Sequence, residues 1–334
     1  MKFSDLMLPI TQENIFEMPG YYVWCGSMAR ANDGLYHLLL SRWPQDLGMD
    51  GWVTRSEICH AVASQPAGPY AYQGVALPGA GGDRWDRDCT HNPSIIPVDG
   101  KFYLYYMGNW GDGTFWSHRN NQRIGVAVAD HPAGPWTRFD KPLIDVASGA
   151  WDSLMTSNPT CTRLRDGRFL MLYKGVGDGP MPQGAGVVYG AAFAESPLGP
   201  FVKHPTPVIA VPNRSWSVED AFIWREADRI YCLVKDFHGD YTKDEPHTIA
   251  FMESSDGINW LPSDHPLAFR KELTWADGRV EPVAYLERPQ IYLEDGVPRV
   301  LFCACDPDTN QRRMHTFNVA IPLRTCQRDP TKGS

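Results

Sequence analysis

His91-Asn92-Pro93-Ser94-Ile95-Ile96 is followed by Asp99-Gly100-Lys101 and then by the apolar run from Phe102 to Tyr106. Ser157-Asn158-Pro159-Thr160-Cys161-Thr162 is followed in the same way by Asp166-Gly167-Arg168 and the run from Phe169 to Tyr173. Glu219-Asp220-Ala221-Phe222-Ile223-Trp224 leads into Ile230 to Val234, and Glu287-Arg288-Pro289-Gln290 leads into Val300 to Ala304. A weaker copy sets Asn32-Asp33-Gly34 before Leu35 to Leu40. One phrase thus recurs along the chain with a period of roughly 65 residues, the mark of a repeat architecture. Pro66-Ala67-Gly68-Pro69-Tyr70, Pro132-Ala133-Gly134-Pro135-Trp136 and Pro197-Leu198-Gly199-Pro200-Phe201 close three of the units, and Asp256-Gly257-Ile258-Asn259-Trp260 takes that slot in the fourth.

Each unit reads as short β segments punctuated by Gly, Pro and Asp, with no amphipathic stretch of helical length. Asp-Gly between two apolar runs marks a hairpin, because its turn needs residues that tolerate positive φ. Four strands per unit and five units predict an all-β fold, a five-bladed β-propeller with four-stranded antiparallel blades. The blades are expected at about 21–77, 88–145, 155–210, 218–269 and 286–323, within one domain over residues 1–334.

Composition narrows the partners. A net charge of −8 and a pI near 5.7 argue against a nucleic-acid surface. No apolar run approaches the ~18 residues of a membrane span. Met1-Lys2-Phe3-Ser4-Asp5 lacks the apolar core of a signal peptide, so a cytoplasmic location is expected. The eight cysteines fall mostly in apparent strands, where thiols act as small hydrophobes. Cys303 and Cys305 share a strand face, a weak metal signal without a second pair. No cofactor is expected from spacing; a single Ca2+ or similar ion in the channel, held by His and waters, stays open.

The loops sort onto two faces. Asp-Gly and Pro-Ala-Gly-Pro turns are short and alike on one. The long loops 42–55, 108–123, 174–186, 235–247 and 306–313 differ on the other and carry Trp43, Trp52, Trp110, Trp116, His118, His238 and Tyr241. Function in repeat proteins gathers on the variable face. Trp85-Asp86 and Trp151-Asp152 precede Asn92 and Asn158 by the same interval, so both pairs read as scaffold. Departures from the repeat point to chemistry. Asp88 stands where the next unit has Leu154, and Glu219-Asp220 and Glu287-Arg288 replace the neutral pairs His91-Asn92 and Ser157-Asn158. Acids clustered around one funnel shift each other's pKa, as glycosidic hydrolysis requires. Their pairing with Lys235 or Arg288 as plain structural ion pairs is the competing account.

On these phrases the chain resembles the five-bladed propeller glycosidases, above all glycoside hydrolase family 43, with families 117 and 32 as relatives. In family 43 an Asp in an Asp-Pro pair is the general base. An Asp two blades later tunes the acid, and a Glu one blade further on is the acid. The resemblance implies that Asp220 is the tuning residue and Glu287 the acid. The base slot holds Asn92, an amide that takes no proton, which leaves Asp88 just upstream as the base and His91 next. Family 32 is a poorer match, since its Trp-Met-Asn-Asp-Pro-Asn-Gly nucleophile segment does not occur.

The expected activity is exo-acting glycoside hydrolysis with inversion, releasing one terminal sugar (a furanoside or a modified, anionic sugar) from an oligo- or polysaccharide-derived substrate. His91, Asn92, Asn158, Lys174, Glu219, Lys235, Arg288, Trp110 and His238 are the expected sugar-binding residues. The strand-end cations Arg55, Arg123, Lys174, Lys235 and Arg313 suit phosphate or an acidic substituent, which keeps a glycoside phosphorylase open. A non-catalytic carbohydrate-binding propeller is the other alternative. The sequence leaves the sugar, its anomeric configuration and the oligomeric state unread.

Overall fold

Short apolar runs joined by Asp-Gly turns fold into five antiparallel sheets of four strands among the described residues. The computed structural model describes residues 2–310 and 315–325. Blade I comprises Tyr21–Arg30, Tyr36–Pro44, Glu57–Ala63 and Ala71–Leu77. Blade II comprises Cys89–Val98, Lys101–Asn109, Arg123–Ala129 and Thr137–Arg138. Blade III follows with Met155–Arg163, Phe169–Val176, Val188–Ala194 and Val202–Lys203, and blade IV with Val218–Glu226, Arg229–Asp236, Thr248–Ser254 and Leu261–Phe269. In each, the first strand is innermost and the order runs outward along the chain.

Blade V breaks that rule. Its inner strands are Tyr285–Glu294, Val297–Asp306 and Phe317–Pro322, and its outer strand is Ile15–Phe16 from the start of the chain. Ile15 lies opposite Val319, and Phe16 opposite Asn318. An early segment therefore pairs a sheet edge that would otherwise be open and ties the two ends of the ring together. The five-fold repeat gives no hint of this strand, because it lies before the first unit.

Apolar side chains interleave between neighbouring blades rather than in one central core. Ala29, Leu39 and Ile58 of blade I meet Leu104, Tyr106 and Ala127 of blade II; each fully buried large side chain contributes about 1.5–3 kcal/mol. The Trp-Asp pairs are part of this scaffold. Trp85 stacks on Tyr106 at 5.8 Å between ring centroids, and Trp151 lies against Tyr173 at 5.3 Å. Asp86 accepts a 2.8 Å hydrogen bond from the Tyr106 hydroxyl and a 3.1 Å bond from Arg138. Asp152 repeats the pattern with Tyr173 at 2.9 Å and Lys203 at 2.6 Å. Gly175 and Gly190 make room for the Trp151 ring, with which any Cβ there would collide. The cysteines described are free and buried, and no described helix is long and apolar enough to cross a membrane.

One local feature positions everything that follows. In each blade the register of the innermost strand slips at the same point: Trp24/Ser27, His91/Ser94, Ser157/Thr160, Glu219/Phe222 and Glu287/Gln290. The residue inside each bulge has positive φ: Cys25 58°, Asn92 55°, Asn158 49°, Asp220 60° and Arg288 57°. A bulge adds one unpaired residue and re-aims its side chain. Asn and Asp enter the left-handed region readily, whereas Cys and Arg rarely do. Proline follows at Pro93, Pro159 and Pro289, which an inner edge tolerates because no ladder hydrogen bond is needed there.

Candidate active site

The five bulged side chains meet on the propeller axis. Cys25 Sγ donates to Asn92 Oδ1 at 3.0 Å, Asn92 Nδ2 to Asn158 Oδ1 at 2.6 Å, and Asn158 Nδ2 to Asp220 Oδ1 at 2.8 Å. Arg288 Nη1 reaches the same Asp220 oxygen at 2.8 Å, and its guanidinium lies beside Cys25 to complete the circle. Burial pushes the Cys25 thiol up to about 12, so it stays protonated and donates. Calcium takes ~6–8 oxygen ligands. A thiol, two amides bonded in series and one carboxylate already neutralised by a guanidinium do not suit that ion.

One residue before the bulge, Trp24, His91, Glu219 and Glu287 line the cavity above. Here blades IV and V carry Glu219 and Glu287, and the second strands of blades III and IV carry Lys174 and Lys235 opposite Ser157 and Glu219. Lys174 Nζ lies 2.6 Å from Glu219 Oε1. Lys235 Nζ is hydrogen-bonded to Glu287 Oε2 and stands 4.0 Å from Glu219 Oε2. One ammonium thus sits between two half-buried carboxylates. Burial works against the charge of Glu219, yet Lys174 and Lys235 overcome it and hold its pKa at about 2. Burial pushes Glu287 the other way, above the usual carboxylate range; Asp220 and Glu219 add to the rise and Lys235 offsets part of it. Two carboxyls with pKa values driven apart are the signature of an acid and its ionised partner.

Aromatic rings wall the cavity of about 450 Å³ above this chain of charges. Trp24, Trp43 and Trp52 line one side, Phe115 and Trp116 come from a short helix, and Trp216, Phe237 and Tyr285 line the other. His91 stacks on Trp52 at 5.0 Å and contacts Ser56 Oγ through Nδ1 at 2.7 Å. Its burial, reinforced by Arg288 and Lys174, keeps its pKa well below the ordinary value, so the imidazole is neutral.

The structure brings together His91, Asn92, Asn158, Lys174, Glu219, Asp220, Lys235, Glu287 and Arg288, all of which line the cavity. Asp88, Trp110 and His238 do not join them. Asp88 Oδ2 accepts from the Gly111 amide at 2.9 Å and faces Arg87 Nε at 3.6 Å and His118 Nδ1 at 3.9 Å. These contacts hold the Asp88 carboxylate on the rim, outside the cavity lining. Trp110 instead lies under the Arg123 guanidinium at 5.4 Å, and Arg123 pairs with Asp145 at 2.7 Å. His238 is exposed, while His247 from the same loop lines the cavity with its pKa held at about 4 by burial and Lys235. Arg55 is exposed, and Arg313 lies outside the described residues. Trp24 and His247 escaped the sequence reading. Trp24 was nonetheless within reach, because Cys25 precedes Asn92 by 67 residues, close to the 66, 62 and 68 that separate the later bulges.

No protein-family model and no curated protein sequence matches the chain. Solved structures do. Zg3597, a family 117 glycoside hydrolase from the marine bacterium Zobellia galactanivorans, superposes with a TM-score of 0.64 at 19% identity, covering 94% of this chain and 88% of its own. An endo-arabinase from Bacteroides thetaiotaomicron gives 0.59 at 13% identity, over 96% of this chain and 97% of its own. CoXyl43, a family 43 β-xylosidase/α-arabinofuranosidase from a compost microbial metagenome solved with xylotriose in a calcium-free form, gives 0.56 at 17% identity, over 96% and 93%. The chain shares the five-bladed fold of these glycoside hydrolases.

Proposed function

We propose that the protein is a glycoside hydrolase that removes a terminal sugar from an oligo- or polysaccharide-derived substrate, with Glu287 as proton donor and Glu219 as its ionised partner. The observation that carries this reading is the pair of half-buried carboxyls flanking Lys235 with pKa values driven in opposite directions. The ring of bonded side chains below the cavity blocks passage of a polymer, which supports exo action on one chain end. Stacking of apolar sugar faces on Trp24, Trp52 and Trp116 supports binding, and the buried Arg119 in the lining suits a modified, anionic sugar better than a neutral one.

The shared ammonium also bears on the stereochemistry. Lys235 reaches both carboxylates, by a hydrogen bond to Glu287 and at 4.0 Å to Glu219, and two carboxylates that share one ammonium suit the ~5–5.5 Å separation of a retaining pair better than the ~6.5–9.5 Å of an inverting one. This favours retention over the inversion expected with Asp88. Glu287 protonates the glycosidic oxygen as its bond to C1 breaks, and a Glu219 oxygen bonds to C1. Water then gives a proton to Glu287 and its oxygen to C1, releasing Glu219. Aryl glycosides of pentofuranoses and uronic acids, followed by NMR of the first-formed anomer, test the proposal. Retained configuration in the wild type and no turnover by Glu219→Gln are expected; an inverted product would remove Glu219 as nucleophile.

A second reading has one observation behind it. Lys174, Glu219, Lys235 and Glu287 satisfy one another without a ligand, as a non-catalytic carbohydrate-binding propeller would require. Sugar binding without turnover across the same panel would select it.

A further inference from the structure

On the face opposite the cavity, Asp33 lies in the first turn of blade I, His37 at the start of that blade's second strand, and His131 in the link between the last two strands of blade II. Asp33 Oδ2 is 3.2 Å from His37 Nε2 and 3.1 Å from His131 Nε2. The three candidate ligand atoms all lie within 4.8 Å of one another. Around a tetrahedral zinc ion with bonds of ~2.0–2.2 Å, ligand atoms are ~3.3 Å apart. The two Asp–His edges already have that length, and the third needs only a small approach by His131, which sits half-buried in a loop.

The support behind the ligands is what separates this group from an ordinary surface cluster. His37 is 2% exposed, and its Nδ1 meets His60 Nε2 at 2.9 Å with the two rings coplanar to within 2°. That bond orients His37 and directs its Nε2 at Asp33; metal-bound histidines are held by their second nitrogen in this way. Asp33 Oδ1 accepts from the Leu35 amide at 2.8 Å, which leaves Oδ2 to face both imidazoles. In the metal-free protein, ring protons on the two histidines can fill the space a cation would take. The sequence concealed the group, since His131 is 98 residues from Asp33.

We propose that Asp33, His37 and His131 bind one divalent transition-metal ion of the Zn2+ class, with water completing the shell, and that the ion clamps blade I to blade II. Two imidazoles and one carboxylate suit zinc, cobalt or nickel rather than calcium or magnesium, which prefer oxygen. Asp33 and His131 are solvent-accessible, so the ion enters from outside without opening a blade.

The test uses the full chain, stripped with chelator and titrated with ZnCl2 by calorimetry, with CoCl2 absorption as a probe of coordination. The expected result is one ion per chain, a visible cobalt band of a four-coordinate site, and a Tm that rises with zinc by mass action. His131→Ala, at a half-buried position, should abolish the cobalt band and the rise of Tm with zinc. His60→Gln should keep the stoichiometry and weaken zinc by about 10–100-fold, the usual effect of losing the support behind a ligand. Zinc binding of equal strength in wild type and His131→Ala, or no binding by the wild type at micromolar zinc, would overturn the assignment.

Discussion

Arg288 of blade V and Asp220 of blade IV form an ion pair of 2.8 Å in which each side chain is 4% exposed. It stands on the propeller axis, joins the last two blades, and supports the floor of the cavity. After burial, the charge of Asp220 is among the influences that push the Glu287 pKa up. The ion pair gives it structural work as well. Breaking a buried pair by removing one charge leaves the other uncompensated. Asp220→Asn is therefore expected to lose about 3–5 kcal/mol of stability besides activity, as read by urea unfolding. A variant with wild-type stability would show that Arg288 finds another partner.

Glu287→Gln should lower turnover of substrates with poor leaving groups by about 10²–10⁴-fold, the contribution of a positioned proton donor. Dinitrophenyl glycosides need no protonation and should lose far less in their first step. Equal loss on both substrate types would transfer the acid role elsewhere, with His247 in the lining the first alternative.

The pH profile separates the two carboxyls. In the proposed mechanism, activity requires Glu219 ionised and Glu287 protonated. It should persist down toward the Glu219 pKa of about 2 and fall as pH rises through the elevated pKa of Glu287. Lys235 favours the ionised form of both, so Lys235→Met should move both limbs of the kcat/KM profile to higher pH. Limbs that stay in place, or move down, would mean that Lys235 does not lie between them during turnover.

Stability carries the same signs. Glu219 has a lowered folded-state pKa, so its stabilisation is present above the unfolded value and lost as pH falls toward about 2. Glu287 has a raised one, so its contribution is complete at low pH and lost as pH rises through the folded value. In Glu219→Gln the acid limb of stability should flatten, while the loss on raising pH through the Glu287 titration remains. Unfolding midpoints measured against pH check both.

Asp152 lies outside the cavity and joins the Tyr173 hydroxyl to Lys203. Asp152→Ala leaves the Tyr173 hydroxyl without its acceptor and Lys203 with only the Asp145 carbonyl, and should lower stability by about 1–3 kcal/mol, with KM unchanged in the fraction that stays folded. A large change in KM at unchanged Tm would place Asp152 in the substrate's path rather than the scaffold.

The blade repeat was legible because each blade must bury both faces, and Asp-Gly turns between apolar runs admit few other folds. The funnel acids Glu219, Asp220 and Glu287 were legible for a related reason: a carboxylate that replaces a neutral repeat residue stands out against its equivalents. Asp88 also broke the repeat, yet its side chain turns to Gly111 and Arg87, and no periodicity reveals where a loop side chain points. The amino-acid sequence by itself determined the number of blades, the scaffold role of the Trp-Asp pairs and the ring of axial positions, because those depend on local turn chemistry and on burial. Only the tertiary structure decided that Lys235 stands between Glu219 and Glu287, that Ile15–Phe16 completes blade V, and that Asp33 meets His131. Those contacts join residues far apart in the chain, and their geometry is set by how the blades close into a ring.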